Sequence, residues 1–291
     1  MKALPEVLES QLLRSLREIG IPPRPLILER VVSEIRKEEP DLRTLARIIG
    51  ADVGIAGSLL KIVNSPFYGC QRKVRTVQDA LTVLGLSTIA TTIAGIVLRK
   101  VIPTTPRLER FWDFSARAAQ VSGLLVQQLG SRNGVQPEDA YTFALFRDCG
   151  IPILMRKYPD YYDTLAAANR EQQRNFTEIE EARHPTNHAV VGSLLAQSWW
   201  LPEETCVAIK HHHDFVTLRS GGGALPAAAS RLIAIAQLAE HIVQRMTSLS
   251  HSCEWEKMGE PCLATLEIPL DTLEDLEQEI AERYAAIDAL V

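Results

Sequence analysis

The chain has 291 residues, of which 46% are hydrophobic and 23% are charged, so its composition is that of a folded globular protein and excludes intrinsic disorder. Its net charge of −5 disfavours nucleic acid and anionic membranes as partners, because both are polyanionic. The five cysteines have no disulfide spacing and the acidic start MKALPEVLES lacks an apolar run, so we expect free thiols in a cytoplasmic protein without a secretion signal.

Apolar residues recur at helical spacing through the first half of the chain. The pattern predicts helices at about 12–19, 27–35, 42–49, 55–63, 77–84 and 88–98. Asp41 is the expected N-cap of the third helix. The run TIATTIAGIVL is too short to cross a membrane and predicts a buried helix. Pro103 and Pro106 interrupt the pattern, so we place the end of an N-terminal helical subdomain, residues 1–106, at this point.

The second half, residues 107–291, is also predicted to be helical. The expected helices lie at about 111–129, 137–157, 178–182, 187–200, 202–213, 227–246 and 273–290. Only residues 265–270 alternate enough to predict a short extended segment. We therefore expect an all-α protein, in which an N-terminal helical bundle packs on a second bundle that carries a C-terminal helical extension.

Two separated motifs resemble the HDOD family, the HD-related output domains. The first lies in LLKIVNSPFYGCQRKVRTVQDALTVLG, and its matching positions are Asn64, Ser65, Tyr68, Gly69, Leu84 and Gly85. The second, NHAVVGSLLAQSWWLPEETCVAIKHHHD, is also similar to the HD-GYP phosphodiesterases. The resemblance spans about residues 21–214. It implies a helical output module of bacterial signalling, with a fold related to HD metal-dependent phosphohydrolases and, commonly, an incomplete set of catalytic ligands.

The stretch FRDCG stands where the HD phosphohydrolases carry their His-Asp pair. Asp148 is retained, but Arg147 replaces the histidine, and a guanidinium has no lone pair for a metal. Phe114 or Ser115 stands at the position of their earlier histidine ligand. An Arg147 that faced a divalent ion at ~4 Å would oppose it by roughly 8 kcal/mol at an effective dielectric of ~20. We therefore expect Arg147 to fill the vacated space and to pair with Asp148 or Asp214.

The later ligand positions of these relatives are better preserved. The resemblance places His188, His212 and His213 at metal-binding histidines of the phosphodiesterases, and Asp214 at a glutamate; FVTLRSGGG replaces their Gly-Tyr-Pro signature. Two interpretations remain open. Asp148, His188, His212 and His213 form a partial site for zinc, manganese or iron, or these residues form a metal-free polar core with Arg147 and Asp214.

The resemblance and the missing ligands together predict a non-catalytic signalling module without a cofactor. Such a module would associate with signalling proteins, which the sequence does not identify, or sense a small ligand; a homodimer is compatible with the sequence. The alternative is a divergent metal-dependent phosphohydrolase or cyclic-nucleotide phosphodiesterase that uses the partial site. No receiver, sensor or cyclase motif accompanies the resemblance. The loop 64–73 and the terminal helix 273–291 are the expected exposed contact surfaces.

Overall fold

The structure is a computed structural model that describes residues 18–64, 68, 70, 72–102, 105–130, 134–219, 225–248 and 251–288. These residues form helices and no strand, which confirms the predicted all-α class. The N-terminal helices are α1 (Leu26–Ile35), α2 (Leu42–Gly50), α3 (Val53–Val63), α4 (Val77–Leu84) and α5 (Leu86–Val101). The predicted helix at 12–19 lies almost wholly outside the described residues.

The remaining helices follow from Pro106 onward. They are α6 (Pro106–Leu129), α7 (Pro137–Phe146), α8 (Gly150–Lys157), α9 (Tyr161–Ala168), α10 (Phe176–Glu181), α11 (His188–Ser198), α12 (Glu203–His211), α13 (Phe215–Arg219), α14 (Ala227–Thr247), α15 (Glu254–Leu266) and α16 (Leu273–Asp288). A single 3₁₀ turn, Leu270–Thr272, precedes α16. Helix α14 is buried along most of its length and packs against α6, α7, α12 and α15.

Local sequence signals account for several helix boundaries in the first half. Asp41 caps α2 as predicted, because its carboxylate accepts hydrogen bonds from the backbone N–H groups of Arg43 and Thr44. Gly85 separates α4 from α5 with a φ of 73°, a conformation that glycine adopts without strain. No single helix in the described part of the chain is long and apolar enough to cross a membrane. Helices α4 and α5 qualify only as a pair, and they bend by 117° at their junction.

The position Asn64 of the first motif has a structural role. Its side-chain amide donates to the carbonyl of Val74 at 2.8 Å, and its side-chain oxygen accepts from the Val74 N–H at 2.7 Å. These two bonds close the loop between α3 and α4. Leu84 is buried, Tyr68 is partly buried, and Ser65 and Gly69 lie outside the described residues.

Two predictions about the second half were wrong. The segment 137–157 is two helices, because the chain turns at residues 147–149 and then passes very close to α11. A Cβ on Gly150 would lie 2.1 Å from the carbonyl oxygen of His188, so only glycine fits this crossing. The segment 265–270 is not extended: Thr265 and Leu266 end α15, and Glu267 follows in the left-handed conformation.

One hydrophobic core extends across the predicted subdomain boundary at residue 106. It includes Leu45 and Leu59 from the first half, and Phe143, Val191 and Leu238 from the second. Polar contacts reinforce the junction: the Nε of Arg24 donates to the carbonyl of Ser198 at 2.8 Å, and its guanidinium lies 3.2 Å from the ring centre of Trp200. The boundary itself stays a prediction. All five cysteines are free thiols, as expected.

Candidate functional site: a buried histidine and carboxylate cluster

Four of the predicted site residues come together in the second half of the protein. Asp148 lies at the turn between α7 and α8, His188 is the first residue of α11, and His212 and His213 follow the end of α12. Their potential ligand atoms all lie within 4.8 Å of one another. The exposed fractions are 0% for His188, 2% for His212 and 6% for His213, while the Asp148 side chain is 18% exposed. The cluster is therefore nearly closed to solvent.

Hydrogen bonds at the far side of two imidazoles fix their orientation. The Nδ1 of His188 lies 2.7 Å from a Glu180 carboxylate oxygen, and the Nδ1 of His212 lies 2.7 Å from the carbonyl of Ile209. Both acceptors require an N–H at Nδ1, so in the neutral tautomer each Nε2 carries a lone pair. The two Nε2 atoms lie 3.2 Å apart, and the Asp148 Oδ1 lies 3.4 Å from that of His188 and 3.2 Å from that of His212.

This triangle of acceptor atoms fits a single metal ion. Ligand atoms bound at ~2.0–2.1 Å around a tetrahedral zinc lie roughly 3.3 Å apart, which is close to the three observed separations. Glu180 contacts the Nδ1 of His188, and metal-bound histidines are commonly oriented by a carboxylate in this position. The residues that would hold an ion are thus Asp148, His188 and His212, with His213 as a neighbouring fourth candidate.

Arg147 pairs with Asp148, as predicted, but its second carboxylate partner is Glu240 of α14 rather than Asp214. Its Nε lies 3.0 Å from the Oδ2 of Asp148, and its Nη2 is hydrogen-bonded to Glu240. Burial lowers the pKa of Arg147, but these two carboxylates outweigh burial and raise it. The guanidinium is neutralised and engages Oδ2, so Oδ1 stays directed at the histidines. The strong repulsion expected from a bare Arg147 does not apply in full.

His213 is held by a second group of residues. Its Nδ1 lies 2.5 Å from the Oε2 of Glu254, and its ring stacks on Phe176 with the ring centres 4.5 Å apart. Glu254 also forms an ion pair with Lys257, one turn further along α15. Since α15 was not predicted, this closure of the cluster by the C-terminal extension is a finding of the structure.

The charged groups around the cluster have a net negative charge, which favours a bound cation. The carboxylates of Asp148, Glu180, Glu240 and Glu254 face two cations, Arg147 and Lys257, so the net charge is −2 when the carboxylates are ionised and the imidazoles neutral. Burial raises the pKa of Glu240 and of Glu254. A divalent ion would neutralise this group of buried charges. Isolated buried charge is very costly, so the metal-free protein must take up protons instead.

The proton of the metal-free protein belongs on His188. Burial lowers the pKa of His188, but Glu180 and Asp148 outweigh burial and raise it to about 10. Burial and the neighbouring His213 lower the pKa of His212 to about 4. Burial raises the pKa of Asp148, but the charge of Arg147 and the hydrogen bonds of both histidines hold it well below its usual value. An imidazolium at His188 and a metal ion would therefore compete for one position.

The structure places Asp214 outside the cluster. Its carboxylate accepts hydrogen bonds from the backbone N–H of Thr217 at 3.0 Å and from the Thr217 hydroxyl at 2.6 Å, so it caps α13. Neither Phe114 nor Ser115 provides a ligand: Phe114 packs at the edge of the hydrophobic core, and the Ser115 hydroxyl donates to the carbonyl of Phe111.

Sequence reasoning missed Glu180, Glu240 and Glu254. Glu240 pairs with a residue 93 positions away and Glu254 with one 41 positions away, so no local spacing connects them. A signal was nevertheless present for two of them. Glu240 is an acid inside the long apolar run of α14, and Glu180 shares the helical face of Phe176. A carboxylate on an apolar face needs a buried partner, which is the same reasoning that identified Asp148.

Comparisons with known proteins agree with the fold. The profile of the HDOD domain matches residues 21–215. An uncharacterised protein of Treponema pallidum is 24% identical over 195 residues, which cover 67% of this chain and 38% of that protein. The chain therefore spans well under half the length of this relative. Helices α14 to α16, with Glu240 and Glu254, lie beyond the profile match.

Two solved structures show the same fold. A chain from Shewanella amazonensis SB2B, whose name assigns it provisionally to the phosphohydrolases, is 20% identical, with a TM-score of 0.67 and 93% of both chains covered. A chain from Marinobacter aquaeolei VT8, named provisionally as a signal transduction protein, is 17% identical, with a TM-score of 0.66 over 98% of this chain and 64% of that chain. With the profile match over two thirds of its length, the chain belongs to the HDOD domain family.

Proposed function

We propose that this protein is a non-catalytic signal-transduction module, which acts by association with signalling proteins or by sensing a small ligand. The observation that carries the proposal is the arrangement at Arg147. This residue replaces the histidine of the His-Asp pair, and its guanidinium is held between Asp148 and Glu240. The histidines beside it are buried. A phosphoester substrate needs both an open coordination position and a path to it, and burial of the cluster argues against such a path.

An ion bound to Asp148, His188 and His212 would belong to the closed, structural kind of site. It would supply charge neutralisation and would link the α7–α8 turn to α11 and α12. The residues themselves then orient one another: Glu180 holds His188, the Ile209 carbonyl holds His212, and Arg147 holds Asp148. This role is compatible with a regulatory module whose stability depends on metal.

A divergent metal-dependent phosphohydrolase is the second candidate. The observation that favours it is the triangle of Oδ1 and two Nε2 atoms, which fits the metal such an enzyme requires. The structural neighbour from Shewanella amazonensis bears the name of this activity, although at 20% identity that likeness concerns the fold alone.

Turnover of phosphoesters by untagged protein separates the two functions. The protein is loaded with Mn²⁺ or Zn²⁺ and assayed with bis(p-nitrophenyl) phosphate, p-nitrophenyl phosphate and a cyclic dinucleotide. We expect wild-type rates equal to those of Asp148→Ala, which lacks the central carboxylate. Asp214→Ala is the matched control, since it removes the neighbouring carboxylate that lies outside the cluster. Metal-dependent turnover that Asp148→Ala abolishes and Asp214→Ala retains would overturn the non-catalytic proposal in favour of the enzyme.

A further inference from the structure

A cavity of about 420 Å³ opens at the start of α14, away from the histidine cluster. Its walls come from α13, from the first turn of α14 and from the second half of α15. The volume lies in the range of small-molecule sites. These elements follow residue 215, so they lie beyond the HDOD profile match.

The first turn of α14 presents hydrogen-bond donors to this cavity. The first N–H groups of any helix have no partner within the helix, and the N-cap residue Pro226 provides no side-chain acceptor for them. Ala227, the first residue of this helix, lines the cavity. The helix has 21 residues, so its dipole places partial positive charge at this end. Such an arrangement favours an anion.

A buried hydroxyl provides an independent sign of a missing partner. Ser230 lines the cavity and is only 5% exposed. Among the residues that the structure describes, its Oγ has no hydrogen-bond partner. Most buried hydroxyls are hydrogen-bonded, so an unpaired one on a cavity wall indicates a ligand that supplies the partner.

Two arginines give the cavity a positive charge although the chain as a whole is acidic. Arg231 lines the cavity and makes no ion pair within the described residues. Arg219 lies 3.8 Å from Glu260, whose side chain is 89% exposed. A bound anion would compete with that exposed carboxylate for Arg219. Arginine suits phosphate in particular, because its planar donors match two phosphate oxygens.

Glu260 and Thr265 also line the cavity, so its two arginines face one carboxylate, and the rest of the wall is apolar. Leu218 and Leu225 are buried residues that line it, together with Pro261 and Ala264 of α15. We infer that this cavity binds a small organic phosphate, with the phosphate group at Ser230, Arg231 and the first turn of α14, and the organic part against these apolar side chains. The inference does not depend on whether the histidine cluster is catalytic, because none of its residues lines this cavity.

Isothermal titration with phenyl phosphate and with inorganic phosphate, at constant ionic strength, tests the inference. We expect saturable binding, with phenyl phosphate at least about tenfold tighter because only it contacts the apolar wall.

The variants test which residues bind the phosphate. Arg231→Gln should weaken the binding of phenyl phosphate at least about tenfold. Arg47→Gln is the matched control: it removes the same charge from an exposed position of α2, and it should leave the affinity unchanged. Ser230→Ala should weaken binding severalfold without lowering the melting temperature, since its hydroxyl has no partner to lose.

Three results would overturn the inference. Absence of saturable phenyl phosphate binding up to about 10 mM would exclude a specific site. Equal weakening by Arg231→Gln and Arg47→Gln would mean diffuse attraction by surface charge. Equal affinity for phenyl phosphate and inorganic phosphate would mean that the apolar wall does not bind the organic part of a ligand. None of these results depends on phosphoester turnover, so they leave the proposed function of the histidine cluster untouched.

Discussion

The histidine cluster and the α14 cavity differ in how their polar groups are satisfied. In the cluster, each imidazole and carboxylate has a partner in the protein, and most of the side chains are buried. In the cavity, the Ser230 hydroxyl has no partner among the described residues, the first turn of α14 has no side-chain cap, and the space is open. Helix α14 contributes to both, with Ser230 at the cavity and Glu240 at Arg147. The polar groups of the cluster are thus already paired within the protein, whereas those of the cavity are available to a ligand.

The largest effect should come from breaking the buried ion pair of the cluster. Arg147→Met leaves Glu240 and Asp148 without their cation, so we expect a loss of roughly 3–5 kcal/mol in the free energy of unfolding. Urea denaturation at pH 7 measures it. In the double variant Arg147→Met/Glu240→Leu, much of this loss should be recovered, because no unpaired carboxylate remains at position 240. Simple additivity of the two single losses would contradict a coupled pair.

A tenfold to hundredfold effect on metal affinity should follow from removing the support of His188. Glu180→Gln takes away the carboxylate that orients this imidazole, and loss of such an outer partner typically lowers metal affinity by roughly 10–100-fold. Competition with a fluorescent zinc chelator measures the affinity. Glu178→Gln is the matched control, because Glu178 lies on the same helix and is exposed. Equal affinity of the two variants would exclude His188 as a ligand.

In protein treated with EDTA, the combined contribution of His188 and His212 to stability should peak near pH 6.5. Between pH 4 and 6.5 the unfolded chain holds a proton on His212 that the folded protein lacks, so stability is lost as the pH falls. Between pH 6.5 and 10 the folded protein holds a proton on His188 that the unfolded chain has released, so stability is lost as the pH rises. Each group contributes a slope of at most about 1.4 kcal/mol per pH unit.

Urea midpoints across this pH range test both limbs of the profile. His188→Gln should remove the loss of stability between pH 6.5 and about 8, because the side chain no longer titrates. Above that range burial raises the pKa of the Cys149, Cys206 and Cys262 thiols, so they too lower stability as the pH rises. A loss between pH 6.5 and about 8 that persists in this variant would place the proton on another group.

The smallest effect is expected at Asp214, although it directly follows the histidines in the sequence. Asp214→Ala removes the cap of α13 and a part-exposed contact with the Nδ1 of His211 at 3.6 Å, so we expect a loss of about 1 kcal/mol and unchanged zinc affinity. Thermal unfolding with and without zinc measures both quantities. A large fall in the zinc affinity of Asp214→Ala would mean that Asp214 belongs to the metal-binding cluster.

The sequence predicted the helices well where local signals are strong. Asp41 is the N-cap that was predicted, and the apolar spacing predicted α1 and α14 at nearly the observed bounds. It failed at α15, because Gly259 and Pro261 within this helix have the pattern of a loop. It also failed at the break after α7, which is imposed by the close crossing of Gly150 and α11 rather than by a local breaker.

The sequence predicted only part of the histidine and carboxylate cluster. The resemblance identified Asp148 and the histidines, and the structure brings these four residues together. Glu240 and Glu254 were missed because their partners lie 93 and 41 positions away, and sequence spacing carries no information about such contacts. Glu180 was missed although His188 is only 8 positions away, because the two residues lie on different helices and helical spacing does not connect them. Asp214 was misleading for the opposite reason, because it follows His213 directly in the sequence but its carboxylate is hydrogen-bonded to Thr217 of the next helix.

The central claim is that the histidine cluster is closed, and modification by diethyl pyrocarbonate tests it most directly. The reagent attacks neutral imidazoles, and the low pKa values keep His212 and His213 neutral at pH 7, so only burial can protect them. Mass spectrometry should show exposed His251 modified first, with His188, His212 and His213 unmodified in the folded protein. Modification of His212 or His213 as fast as that of His251 would mean that the cluster opens to solvent, and it would contradict the account.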